Sequence, residues 1–368
     1  MKAIVLQENL RQALSFVTKN ISTKTQLPVL SNILIETETG RLKLSATNLE
    51  TSISFWVGAQ IEKEGALTVP ARFLSELVNS FAQDKIELSA QGSNLKITCG
   101  RSEATLAGIA AEEFPPLPKL NEQNDAIIDK KLLETGLTFV LIAASSDEGR
   151  PLLTGIKFKE TDKALLMVAT DGYRLSVKEL PKTKGFSEGF VLPAKALAEV
   201  FRLATEEKTN EIKLYFSKDN NQIIFTLENA QISTRLIEGE YPVFERIIPS
   251  SFTTRALFDK QSLLRAVKFA AVYAKESANI IKLNISGSTL TISANTPQIG
   301  ENKTSIEIKS EGEGGEIAFN ARFLIDLLTV FPEEEGAFEM SGPLAPGVFK
   351  PVKDTSFLHI IMPVRVQN

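Results

Sequence analysis

Apolar residues recur along this chain in two rhythms. One has the three-to-four-residue spacing of a helix that buries one face, the other the two-residue spacing of a half-buried strand. The helical rhythm returns in a shared phrase: Val69-Pro70-Ala71-Arg72-Phe73-Leu74, then Leu192-Pro193-Ala194-Lys195-Ala196-Leu197, then Phe319-Asn320-Ala321-Arg322-Phe323-Leu324, at offsets of 123 and 127 residues. Each copy opens on Pro or Asn, which suit a helix start, and continues with apolar residues at helical spacing. These are Phe73, Leu77, Val78 and Phe81; Leu197, Val200 and Phe201; and Phe323, Leu324, Leu327 and Leu328. A second phrase precedes each copy: Leu10, Leu14 and Phe16; Leu133, Leu137 and Phe139; Leu263, Val267 and Phe269. The spacing predicts six amphipathic helices, over 8–22, 70–81, 130–145, 193–204, 260–276 and 320–331.

Between the helices the period falls to two. Ile33-Leu34-Ile35-Glu36, Leu42-Lys43-Leu44-Ser45, Ile156-Lys157-Phe158-Lys159, Ile212-Lys213-Leu214-Tyr215, Ile223-Ile224-Phe225 and Leu290-Thr291-Ile292-Ser293 read as strands of half-buried antiparallel sheet. Turn signals such as Thr39-Gly40, Gln91-Gly92, Asp171-Gly172 and Ser286-Gly287 separate them. Helix, strands and helix return at one period, which predicts an α+β chain of three repeated modules, each two helices plus about eight short strands in antiparallel sheets. Glu113-Phe114-Pro115 and Glu240-Tyr241-Pro242 mark similar module exits, and the expected modules are 1–121, 122–250 and 251–368.

Composition narrows the chemistry. The 368 residues contain one cysteine, Cys99, and one histidine, His359, which exclude a disulfide framework and leave no Cys/His metal set. His359 lies in an apolar strand pattern and reads as a strand histidine rather than a base. No phosphate-cradling loop, dinucleotide fingerprint, zincin or nucleophile-elbow motif occurs. Gly312-Glu313-Gly314-Gly315 reads as a hairpin turn. No catalytic residue, metal or cofactor is therefore expected, although 45 acidic residues leave open a hydrolase with an unrecognised carboxylate site, as well as a repeat scaffold unrelated to DNA. No apolar run is long enough to span a bilayer and the N-terminus lacks a signal-peptide pattern, so a cytoplasmic chain without membrane contact is expected.

The net charge is −4, yet the six helical segments carry +1, 0, +1, +1, +3 and 0, together +6, which leaves −10 for the rest. Arg72, Lys195 and Arg322 each fall two residues after the Pro or Asn of their phrase. Such residues are either solvated helix faces or one surface that tolerates a polyanion. With no recognition helix or zinc finger, any nucleic-acid contact is to phosphates and independent of sequence.

Val168-Ala169-Thr170-Asp171-Gly172-Tyr173-Arg174-Leu175, the three helix starts and the ending Ile361-Met362-Pro363-Val364-Arg365-Val366 closely resemble the bacterial DNA polymerase III beta-subunit family, the sliding clamps, over the whole chain. The resemblance implies a half ring of three clamp modules, closed by a homodimer into six around duplex DNA. It also implies a tether for DNA polymerase III without catalysis of its own. Implied partners are double-stranded DNA, a second copy, a clamp-loader ATPase, the replicative polymerase alpha subunit and other proteins with clamp-binding motifs. By the same resemblance Lys24, Arg72, Arg150 and Lys195 face DNA. The seam joins Phe73 and Ala104 of one copy to Val272 and Tyr273 of the other. The wall of a partner-peptide pocket is Leu153, Thr170, Gly172, Tyr173, Arg174, Leu175, Pro242, Arg246, Ile247, Ile360, Met362, Pro363 and Val364. In that pocket Leu153, Leu175, Ile247, Ile360 and Met362 would supply apolar area for Leu or Phe anchors, with Arg174 and Arg246 orienting carbonyls or acidic residues at the rim. Tyr173 and Val364 depart from the common family pattern, as does the tail Val366-Gln367-Asn368.

Overall fold

A computed structural model describes residues 1–21, 27–120, 125–186, 189–217, 221–276, 278–297 and 299–365. Among them are six α-helices: α1 (Gln7–Val17), α2 (Ala71–Ser80), α3 (Lys130–Val140), α4 (Ala194–Glu206), α5 (Lys260–Ala274) and α6 (Ala321–Val330). Each expected helix is present, and several are shorter than the apolar spacing suggests. Helices α1 and α3 tighten into 3-10 turns at Thr18–Asn20 and Leu141–Ala143. With these bounds the helices carry +4, not +6, so the separation of charge is smaller than expected. Asn320 and Asp259 cap α6 and α5, their side chains accepting from the Arg322 and Ser262 N–H groups. The helical spacing overreaches at two aromatic positions: Phe73 is 60% exposed and Phe269 is 51% exposed, whereas Leu74 and Val78 of α2 and Leu263 and Val267 of α5 are buried.

The chain forms two compact units, Met1–Lys130 with Lys195–Leu236, and Lys131–Ala194 with Ile237–Asn368. The first unit holds a five-stranded antiparallel sheet with Ser102–Ala107 at one edge. It also holds an eight-stranded sheet in which Thr51–Gly58 pairs with Ala230–Arg235. The second unit holds a nine-stranded sheet, in which Arg174–Pro181 pairs with Phe357–Ile361, and a four-stranded sheet with Gly300–Glu307 at one edge. The repeat and the compact units therefore divide the chain differently. The long sheets run through the middle of the repeat pattern because the last strand of one copy hydrogen-bonds to a middle strand of the copy before it.

The Gly312–Gly315 stretch is a crossover rather than a hairpin turn. Lys309–Gly312 ends the nine-stranded sheet, while Gly315–Asn320 belongs to the four-stranded one. A Cβ at Gly312, where φ is +97°, would sit 1.9 Å from the Thr253 carbonyl oxygen, so the crossover needs glycine there.

In the second unit the strand pairing brings charge into the interior. Lys178 is buried, with its ammonium 2.8 Å from Asp354 Oδ2 and 5.1 Å from the centre of the Phe139 ring. Removing one partner of such a pair costs more than replacing the buried charge with an apolar chain of similar length. Asp354→Asn is expected to destabilise the fold by about 3 kcal/mol and Lys178→Met by less than about 1 kcal/mol, because Asp354 is partly solvated. Urea unfolding of the two variants checks this ranking.

Candidate functional site

The densest group of expected site residues lies on one face of the nine-stranded sheet. Strand alternation turns Leu175 and Val177 to the face that also carries Val168, Val191, Val348 and Ile360, and Tyr241 and Phe244 cover it. Ile247, Ile248, Ile237 and Leu152 pack against this cluster. Leu153 is half-buried beside Leu152 in the 3-10 turn Pro151–Thr154. The covering segment is pinned at Lys159, whose ammonium is 2.7 Å from Glu245 Oε1 and lies over the Phe244 ring. Burial pushes the Tyr241 hydroxyl pKa upward, so the ring serves as neutral packing. Val348 also lines a cleft of about 120 Å³ between Pro249–Phe252 and the strands Glu335–Met340 and Gly347–Pro351.

The rim is built by a turn and by the chain's last described residues. Thr170 is buried. Its Oγ1 donates to the Arg174 carbonyl at 2.7 Å and accepts the Gly172 N–H at 3.1 Å. Asp171 Oδ1 accepts the N–H groups of Tyr173 and Arg174, both at 2.9 Å, and Gly172 adopts φ +91°. Tyr173 is 60% and Met362 37% exposed, and they are joined by a 2.8 Å hydrogen bond from Met362 N–H to the Tyr173 carbonyl. Pro363 and Val364 are half-buried, and Val364 N–H donates to Ala318 O. Pro242 and Arg246 are exposed.

Two arginines take places that the sequence does not reveal. Arg174 points to the opposite face from Leu175, toward α6. Its Nη1 is 2.7 Å from Asp326 Oδ2, its Nε is 3.1 Å from Asp171 Oδ2, and the guanidinium lies 4.4 Å from the Phe323 ring centre. It is therefore held between two carboxylates rather than presented at the rim. Arg150 is ion-paired with Asp147 and stands over Gly172, where an added Cβ would be 3.3 Å from its Nη1. Sequence reading missed Leu152, Tyr241, Phe244, Val348 and Asp326. Only Tyr241, in the repeated exit phrase, carried a signal.

The other expected positions are on the surface. Arg72 is exposed and paired with Glu76 at 2.8 Å, and Lys195 is exposed on α4. Lys24 lies outside the described residues. In the first unit Phe73 is exposed on α2, and Ala104 is half-buried in the edge strand Ser102–Ala107. In the second, Val272 is 65% exposed on α5, and Tyr273 is half-buried near Gly300 at the start of the edge strand Gly300–Glu307. No group of His, Cys, Asp and Glu among the described residues could hold a metal ion. No described helix is long and apolar enough to cross a membrane.

Family models for the DNA polymerase III beta subunit match nearly end to end: its N-terminal domain over residues 1–118, its central domain over 127–243 and its C-terminal domain over 245–365. The chain belongs to the DNA polymerase III beta-subunit family. It is 29% identical over 392 residues to the beta sliding clamp of Synechocystis sp., covering all of both chains. Its fold superposes with a TM-score of 0.93 on the sliding clamp of Bacillus subtilis, at 26% identity and full coverage of both. It superposes with a TM-score of 0.92 on the sliding clamp of Bartonella birtlesii bound to griselimycin, at 28% identity and full coverage of both. The clamp-family fold thus accounts for the three α+β modules that the repeat predicts.

His359 supplies a pH test of this site's foundation. It is fully buried, with Nδ1 2.7 Å from Ser176 Oγ, and burial, helped by the nearby Arg174 charge, lowers its pKa to about 3. The folded state keeps the ring neutral while the unfolded chain takes up a proton below its ordinary pKa of 6.5. Stability is therefore lost as the pH falls from 6.5 toward 3, by up to about 1.4 kcal/mol per pH unit from this residue. His359→Gln should remove that part of the slope in urea titrations between pH 6.5 and 4.

Proposed function

We propose that this chain is a DNA sliding clamp: two copies close into a ring around duplex DNA and tether DNA polymerase III and other replication and repair proteins. It binds without reading sequence and performs no catalysis of its own. The carrying observation is the pattern of used and unused strand edges. Within the chain the last strand of module two, Ala230–Arg235, pairs with Thr51–Gly58 of module one. The last strand of module three, Phe357–Ile361, pairs with Arg174–Pro181 of module two. The same rule leaves Ser102–Ala107 of module one and Gly300–Glu307 of module three, and each is a sheet edge. A second copy offers each the partner it lacks, and a two-fold pair satisfies both seams at once. Exposed Phe73 and Val272, with Ala104 and Tyr273 beside them, supply the apolar contact at that seam. The module boundaries that go with this reading are 1–121, 122–250 and 251–368.

Retention on DNA then comes from closure, and the modest charge suits the task. Arg72, Lys195 and Lys24 are assigned to passing phosphate contacts, strong enough to centre the duplex and weak enough to let it slide. Arg150, over Gly172, is assigned to the pocket rim as well. The apolar cluster around Leu175, Ile247 and Ile360 with the rim of Tyr173 and Met362 takes the Leu or Phe anchors of partner peptides, in keeping with a relative solved bound to griselimycin. Loading requires a separate ATP-driven loader, because the chain has no nucleotide-binding motif. The expected compartment is the cytoplasm.

Sedimentation should give about twice 40.4 kDa, and Val272→Asp should give a monomer; a monomeric parent chain sinks the ring. Protein loaded on circular DNA should survive a salt wash that strips it from linearised DNA. Leu175→Ala combined with Met362→Ala should weaken binding of a Leu/Phe-anchored peptide by about 30-fold or more and leave the dimer intact.

A further inference from the structure

The turn that forms the pocket rim occurs twice in this chain, and only one copy carries an arginine, half-buried and held between two carboxylates. In module one, 123 residues earlier, the segment Thr47-Asn48-Leu49-Glu50-Thr51 repeats the hydrogen bonds of Thr170–Arg174. Leu49 N–H donates to Thr47 Oγ1 at 3.1 Å. Glu50 and Thr51 N–H donate to Asn48 Oδ1 at 3.1 and 2.8 Å, and Leu49 adopts φ +76° where Gly172 has +91°. Even the cross-junction bond is repeated: Arg235 N–H donates to the Glu50 carbonyl at 3.1 Å, as Met362 N–H does to the Tyr173 carbonyl at 2.8 Å. Thr51 stands where module two has Arg174. The turn therefore forms without the arginine, and its folding does not explain why a guanidinium is withdrawn from most of the solvent there, between two carboxylates. Burying a charge carries a desolvation cost that a geometrically good pair offsets only in part, so the arrangement adds little stability and much geometric definition.

We propose that Asp326 of α6 is a positioning residue of the peptide pocket, acting through Arg174. Resting on the pocket reading above, it deepens it. The ion pair at 2.7 Å and the Phe323 ring under the guanidinium fix Arg174 to the helix. Arg174 in turn holds Asp171, whose other oxygen receives the Tyr173 and Arg174 amides. Tyr173 presents the carbonyl that anchors Met362. One chain of contacts thus runs from α6 to the two exposed apolar residues that flank the groove. It pre-organises the rim, which lowers the ordering cost a peptide meets on binding. It also leaves the Arg174 charge matched on the helix face, so the pocket selects apolar anchors rather than acidic ones.

The test needs no ligand for its first arm. In Asp326→Asn, amide hydrogen exchange at Met362 should accelerate by about tenfold, while exchange at Arg235, the matching amide of the first junction, stays as in the parent. In the second arm, affinity for a labelled peptide with Leu and Phe anchors should fall about fivefold, Asp326→Glu should recover most of it, and Asp326→Asn should cost nothing more in an Arg174→Gln background. Unchanged exchange at Met362, or losses that add independently of Arg174, would overturn the proposal. Failure of the parent chain to bind the peptide would overturn the pocket reading instead, and the exchange arm would still decide the role of Asp326.

Discussion

Everything in this fold depends on where unpaired main-chain edges find partners. A strand edge is a row of donors and acceptors that water or another strand must satisfy. This chain answers within itself by laying the last strand of a module on a middle strand of the module before it. Five residue pairs make each of these junctions, from Thr51↔Thr234 to Phe55↔Ala230 and from Arg174↔Ile361 to Lys178↔Phe357. Leu175 and Ile360 of the apolar cluster, Arg174 of the turn and the buried polar groups Ser176, Lys178 and His359 all belong to the second of these ladders. Ser102–Ala107 and Gly300–Glu307 are among the strands that remain at sheet edges.

The two junctions also differ in a way that bears on binding. Equivalent positions carry Ser52 and Ser233 at the first and Leu175 and Ile360 at the second. The same backbone therefore presents a polar floor in one place and an apolar floor in the other. Backbone geometry sets the shape, and the side-chain pair at this position sets its polarity.

How much of this could be read from sequence follows from the range of each interaction. Helix positions and the threefold repeat were legible because periodicity is local and the phrases around Ala71, Ala194 and Ala321 share their spacing. The α+β character followed from the alternation of rhythms. Strand partners were not legible: a period of two says which face is buried, not which edge pairs, and Ser176 meets His359 across 183 positions. The same limit hid Asp326, which lies 152 residues from Arg174. The glycines at 312–315 misled because the same residues suit a hairpin and a crossing between sheets. The expectation that Leu175 and Ile247 share one site came from the family resemblance, and their companions in the cluster, Phe244 and Val348, only from the packing.

The interleaving of repeat and compact unit has a further consequence, for the order in which the protein can be made. Strand Arg174–Pro181 must wait for Phe357–Ile361, which leaves the ribosome long after it. For the time taken to translate nearly the whole third module, one edge of a growing sheet stands open, and contacts of such long sequence separation form slowly. The earlier unit is complete once Leu236 has emerged. Vectorial synthesis thus delivers one finished unit and one that stays vulnerable to misassociation until Phe357–Ile361 closes it.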